Sequence, residues 1–312
     1  MTDPMPRSDG TPETALQALI AAVLRVSLKM TLLRAFRAGL PVAEQRRRLA
    51  LVSRLTLVPR DVEFRRAERG GVAGEFVTPR DGVPAERAIL YLHGGGYCTG
   101  SPATHRAITG RLAKLCRASV FAADYRLAPE HPFPAALDDA VAAYRGLLDE
   151  APARPITVAG DSAGGGLSVA AALRLREAGL PRPASLVLLS PWVDLELDHL
   201  GPPPSGEVMI TRPWIGECAR FYLADHDARD PCASPVNADL MGLPPTLVQV
   251  GLDEVLLEDA RRMVRALREA AVPVTGQEFP RRWHVFQANA GLLADANRAL
   301  AQVGDFVRAI DR

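Results

Sequence analysis

Ser162 stands in Val158-Ala159-Gly160-Asp161-Ser162-Ala163-Gly164-Gly165-Gly166, a G-x-S-x-G run with apolar residues before it and a helical pattern after it. A nucleophilic serine has to stand clear of the backbone on a tight strand-to-helix turn. Glycines two residues to either side let neighbouring chain approach without Cβ clashes. The helix N-terminus beneath favours a developing negative charge. The bare pentapeptide is equally a simple turn, so its chemistry depends on partners elsewhere in the chain. Ile89-Leu90-Tyr91-Leu92-His93-Gly94-Gly95-Gly96-Tyr97 supplies one, an apolar strand running into three glycines. Such a loop leaves backbone N–H groups free to converge on one point, as an oxyanion hole for acyl transfer requires. Gly94 and Gly95 are the expected donors, joined by the N–H of Ala163. The dinucleotide pattern G-x-G-x-x-G and the phosphate-loop pattern G-x-x-x-x-G-K-[ST] are both absent from this stretch.

A serine hydroxyl is a weak nucleophile until a base takes its proton, and the base needs an acid to orient it. The chain has six histidines. His93 belongs to the glycine loop, His105 and His131 lie upstream of the serine, and His199 and His226 fall in an irregular stretch rich in Pro and Asp. His284, in Trp283-His284-Val285-Phe286, follows the last predicted strand, where the chain order serine, acid, histidine needs the base. For the acid, Asp253 sits at the carboxyl end of the strand Thr246–Gly251, the place where open α/β sheets collect site residues. Glu254, Glu258 and Asp259 read as first-turn helix acids complementing the dipole. Asp194, in Ser190-Pro191-Trp192-Val193-Asp194, also follows a strand and competes with Asp253 for the role.

Six segments together resemble the bacterial hormone-sensitive-lipase-like esterases: HGGGY at 93–97, DYRLAPEHPFPAALDD at 124–139, GDSAGGG at 160–166, SPWVDL at 190–195, ASPVNADLMGLPPTLVQVG at 233–251 and WHVFQ at 283–287. The similarity runs from about residue 60 to the C-terminus, with the motifs in the family's order. It implies an α/β-hydrolase fold, a helical cap over the site and serine carboxylesterase activity. Carried over by position, it implies Ser162 as nucleophile, Asp253 as acid, His284 as base, and Gly94, Gly95 and Ala163 as oxyanion donors. The Arg281-Arg282 pair just before Trp283-His284 departs from the less basic family pattern, which bears on charge at the pocket mouth and hence on substrate preference.

The remaining composition bounds the function. A net charge of +1, from 37 basic and 36 acidic residues, offers no broad field for nucleic acid or an anionic membrane. Clusters such as Arg46-Arg47-Arg48 and Arg65-Arg66 read as solvated faces, with no interleaved aromatic residues for stacking on bases. The four cysteines, Cys98, Cys116, Cys218 and Cys232, form no C-x-x-C, which fits reduced thiols in a cytoplasmic protein. Cys98 reads as a small residue packed beside the site. No H-E-x-x-H or Cys/His cluster proposes a metal, and no cofactor is expected. The expected partner is a small-molecule ester, with no nucleic acid and no stable membrane association; the sequence leaves a homodimer open.

The elements that must position these residues are legible in the hydrophobic pattern. Strands are predicted near 61–68, 72–78, 87–92, 118–123, 155–160, 184–190, 246–251 and 273–279, with helices near 103–116, 134–150, 163–178, 255–271 and 293–310. Alternation of this kind predicts a mostly parallel central sheet flanked by helices on both faces, in a chain long enough for one large α/β domain. Residues 51–312 form the expected catalytic domain. The long stretch 195–244, with Met209, Ile210, Trp214, Phe221 and Tyr222, reads as an insertion that joins residues 1–50 in a cap. The apolar run from Ala15 to Leu24 lacks a basic leader and is read as too short to span a bilayer, so an amphipathic helix continuing to Pro41 is expected. An amidase, deacetylase or lactonase on the same triad is the nearest alternative. A non-catalytic receptor on this fold is the remoter one, since such receptors lack the base that His284 supplies.

Overall fold

The computed structural model describes Met5 and residues 14–310. Eight strands, β1 (Val62–Arg69), β2 (Val72–Pro79), β3 (Arg87–Leu92), β4 (Ala118–Ala123), β5 (Ile156–Asp161), β6 (Ser185–Leu189), β7 (Thr246–Gly251) and β8 (Val274–Phe279), form one sheet in the order β1-β2-β4-β3-β5-β6-β7-β8. The pairs β1·β2 and β2·β4 are antiparallel and every later pair is parallel. This is the expected α/β-hydrolase architecture, with strand ends within a residue or two of those read from the pattern. Side-chain alternation divides the core between the two faces. Leu90, Leu92, Val158 and Leu188 join one cluster, while Ile89, Tyr91, Ala159 and Val187 join the other.

The first cluster is covered by α4 (Ala135–Glu150), α5 (Ala163–Glu177) and α7 (Leu257–Glu269), the second by α3 (Arg106–Leu115) and α8 (Ala294–Ala309). The chain reverses its direction across the sheet between β3 and β5. Their carboxyl ends, which carry the glycine loop and Ser162, therefore flank a topological switch point, where ligands bind in open α/β sheets.

The N-terminal helix is two helices. α1 (Ala15–Ala35) stops short of the expected Pro41 because the Phe36 backbone leaves the helical region at ψ 65, its N–H still bonded to the Leu32 carbonyl. Pro41 then opens α2 (Val42–Ser53), a position where its missing N–H costs nothing. With 21 residues, and a mean hydropathy of 1.6 over its most apolar 18, α1 is long and apolar enough to cross a membrane, contrary to the expectation from the shorter run 15–24. The 195–244 stretch contains α6 (Arg212–Leu223), capped by Thr211, whose hydroxyl accepts from the Trp214 N–H.

Candidate active site

Ser162 joins β5 to α5 with φ 53° and ψ −123°, a strained conformation for a residue with a side chain and the one the nucleophile turn requires. Its glycines are sterically enforced. A Cβ on Gly164 would fall 1.9 Å from the Leu92 carbonyl oxygen, and one on Gly160 would fall 2.2 Å from that of Gly164. The turn is tied to the next strand, since the Ser162 N–H donates to the Leu189 carbonyl (2.9 Å) and its carbonyl accepts from Trp192 N–H (2.9 Å).

His284 lies beyond β8 and is buried, with Nδ1 3.0 Å from Oε1 of Glu254. The second oxygen of Glu254 accepts from the Ser190 hydroxyl (2.7 Å) and the Gly251 N–H (2.9 Å), so the carboxylate is satisfied on both sides and held still. Burial disfavours a charged imidazole at His284, but the hydrogen bond and charge of Glu254 outweigh it and raise its pKa above the ordinary 6.5. The acid on His284 is thus Glu254, which corrects the expectation of Asp253. Glu254 is not a helix-cap acid either, because α7 begins only at Leu257.

Asp253 is turned away from His284. Its Oδ2 accepts from Arg25 of α1 at 2.9 Å, and Gly206 of the insertion is pressed so close that a Cβ there would lie 2.4 Å from the Asp253 Cβ. Asp194, the other candidate, pairs with Arg262 (2.5 Å) and faces His199 Nδ1 at 3.4 Å. His199 Nε2 meets Asp259 at 2.7 Å, while Asp259 also accepts from the Val193 and Asp194 N–H groups. This cluster fastens the start of the insertion to α7.

The glycine loop needs a second correction. The Gly94 N–H donates to Asp161 Oδ1 at 3.1 Å and is not free to meet an oxyanion. Asp161, between Gly160 and the serine, is buried and also accepts from the Tyr91 hydroxyl (2.5 Å), with His105 Nε2 3.4 Å from its other oxygen. Burial works against the Asp161 carboxylate, yet His105 and the Tyr91 hydrogen bond hold its pKa below the usual range. The same partnership raises His105 against the opposing effect of burial. His93 stacks on Tyr125 (4.3 Å between centroids), and burial pushes its pKa down to about 3, so it is a neutral packing residue. Gly95, together with Ala163 at the first position of α5, remains suited to donate, since first-turn N–H groups have no partner inside a helix.

Ser162, Gly95 and His284 all line one cavity of about 120 Å³. Its walls are apolar: Leu28 and Leu32 from α1, Phe36 at its C-cap, Val52 from α2, and Met209 and Trp214 from the 195–244 stretch. Sequence reasoning missed two residues that set this wall. Buried Glu207 accepts from the Val208, Met209 and Ile210 N–H groups through Oε1 and from the Val255 N–H through Oε2, stitching the insertion to the turn that carries Glu254. Buried Gln45 accepts from Trp214 Nε1 at 2.8 Å, and Phe36 packs on the same indole at 4.6 Å. Their signal in the sequence is weak, since an isolated Glu or Gln is ordinarily a surface residue. Arg282, half of the basic pair that bears on charge at the pocket mouth, is turned to another use. It is buried and paired with Asp295 at 2.6 Å. Cys98 is buried, as a packing residue should be.

Residues 89–288 match the model of an α/β-hydrolase fold family. An acetyl-hydrolase of Streptomyces hygroscopicus is 45% identical over 244 residues, covering 77% of this chain and 80% of its own. An esterase of Acinetobacter venetianus is 35% identical over 254 residues, 80% and 83% of the two chains. Among solved structures, a hormone-sensitive lipase from a metagenome library superposes with a TM-score of 0.87 at 38% identity, over 93% of this chain and 98% of that one. An esterase from the bacterial hormone-sensitive lipase family gives 0.85 at 36% identity, over 96% and 99%.

Proposed function

Since the chain belongs to the bacterial hormone-sensitive-lipase-like esterases of α/β-hydrolase fold and is a carboxylic ester hydrolase, we propose that it works through Ser162, His284 and Glu254 by way of an acyl-enzyme. The observation that carries this reading is the buried His284–Glu254 pair in the wall of the cavity that Ser162 lines. His284, neutral, takes the Ser162 proton as Oγ attacks the ester carbonyl, and Glu254 fixes the imidazole tautomer and stabilises its cationic form. The N–H groups of Gly95 and Ala163 receive the developing oxyanion. His284 returns the proton to the departing alcohol, then activates the water that releases the acid. The cycle requires no cofactor.

The substrate we assign is a short- to medium-chain ester. An apolar cavity of this size rewards each buried methylene with about 0.8 kcal/mol until its far wall is reached, and the acetyl-hydrolase relative favours the short end. Of the expected cap unit 1–50, residues 14–50 act together with 195–244 as the cap over the catalytic domain; residues 1–13, Met5 apart, lie outside the described residues. The unpaired state of all four cysteines favours the cytoplasm. A panel of aryl esters from acetyl to long-chain, with a lactone and an anilide alongside, tests the reading against Ser162→Ala. Short esters should be turned over best, and the variant should lose roughly five to six orders of magnitude with its fold intact. Near-normal turnover by the variant would remove Ser162 from the chemistry.

A further inference from the structure

α1 is apolar on both sides. Leu28 and Leu32, with Phe36 at the C-cap, line the cavity, while Leu16, Leu19, Val23, Val26 and Met30 recur at spacings of three and four and stand exposed. Of the twelve large hydrophobic residues exposed in the described structure, ten belong to one region: these five, Leu51, Leu55, Leu57 and Val58 at and beyond the end of α2, and Leu292. The region is continuous. Gln17 of α1 donates to the Leu292 carbonyl, and a Cβ on neighbouring Gly291 would touch Leu57. An apolar ridge this concentrated marks an interaction surface rather than scattered exposure.

Charge selects the occupant. Residues 14–60 hold nine Lys and Arg against a single acid, Glu44, in a chain whose net charge is only +1. Glu44 is already taken by Arg47 and Arg48. Arg34, one turn beyond Met30 on α1, Arg37 just past the end of that helix, and Arg54 and Arg60 beside Leu55 are exposed. Arg37, Arg54 and Arg60 make no ion pair among the described residues. Arg25 and Arg46 are paired with Asp253 and Glu130, so the free charge is that of Arg34, Arg37, Arg54 and Arg60, and a second copy meeting this face would bring two sets of these like charges together. An anionic bilayer surface complements it, the apolar ridge entering the headgroup boundary and the arginines meeting phosphates.

We propose that this face docks reversibly onto anionic lipid, with α1 lying in the interface rather than crossing the bilayer. Its inner side is committed to the cavity and its Arg25 to Asp253, which a spanning helix would have to surrender. Docking places the cavity, walled by the same two helices, beside the lipid. The association is weaker than the stable anchoring the overall charge argues against, and it does not depend on the catalytic assignment.

The test is cosedimentation of the full chain with vesicles of phosphatidylcholine and phosphatidylglycerol, compared with phosphatidylcholine alone, at low and high salt. Binding should require phosphatidylglycerol and weaken with salt. Leu19→Glu/Val26→Glu, outside the cavity wall, should abolish it while leaving turnover of a small soluble ester unchanged. Arg37→Glu/Arg54→Glu, which removes two cations worth about fivefold each, should weaken it by at least about 25-fold without touching the ridge. Absence of binding, or equal binding to neutral vesicles, overturns the proposal. So does concentration-dependent self-association that Leu19→Glu/Val26→Glu abolishes, which would assign the ridge to a second copy.

Discussion

Replacing Glu254 by Gln separates the structural acid from its neighbour more sharply than any other change. The wild-type carboxylate accepts three hydrogen bonds, from His284, the Ser190 hydroxyl and the Gly251 N–H. A glutamine keeps the size but has one accepting oxygen. Its amide N–H2 must therefore face a donor, or face His284 and force the wrong imidazole tautomer. Loss of an orienting carboxylate in this way costs about 10⁴ in kcat, roughly 5.4 kcal/mol of transition-state stabilisation. Asp253→Asn instead breaks an ion pair to Arg25 whose side chains are 27% and 30% exposed. Such a pair is worth about 1 kcal/mol or less, at most about fivefold in rate if all of it fell on the barrier. The assay is kcat on an aryl butyrate, with thermal unfolding of each variant alongside. A folded Asp253→Asn that loses more activity than a folded Glu254→Gln would return the role to Asp253, the acid expected from sequence.

Two further predictions follow from the same geometry. His284 must be neutral to act, and its pKa is raised, so kcat/KM should fall on the acid side with a midpoint above 6.5. Glu254→Gln removes the largest raising influence against burial, leaving the smaller ones of Glu207 and Asp161, so the midpoint of its residual activity should move down; an unmoved midpoint contradicts the pairing. Trp214→Ala should extend the cavity and shift kcat/KM toward longer acyl chains, by about fourfold for each methylene newly buried. It should also cost about 3–5 kcal/mol of stability through the void and the stranded Gln45, and an octanoyl-to-butyryl ratio that does not rise would show that the indole does not limit the pocket.

Much of the fold and part of the site could be read from local pattern. Short, nearly continuous apolar runs such as β3, β4 and β6 located the central strands because both sheet faces are buried there, alternation marked the half-exposed β1, and the positions of Ser162 and His284 were read from where strands end. Glu254 could not be read this way. Two adjacent carboxylates follow β7, and the strand-end rule favours the first. Which one turns inward is decided by distant residues, Gly206 pressing on Asp253 and Glu207 holding the Val255 N–H. The role of Gly94 was hidden similarly, since its N–H is claimed by Asp161 on another strand. The length of α1 was obscured because its hydrophobicity has little sidedness, one face serving the cavity and the other standing in solvent.

In the proposed mechanism Ser162 carries the acyl group. Intact-protein and peptide mass spectrometry after reaction with a fluorophosphonate, which phosphonylates an activated serine, tests it most directly. A single adduct is expected on the peptide containing Ser162, absent from Ser162→Ala and formed far more slowly by Glu254→Gln. An adduct on another residue, or none under conditions where ester turnover is measured, would contradict it.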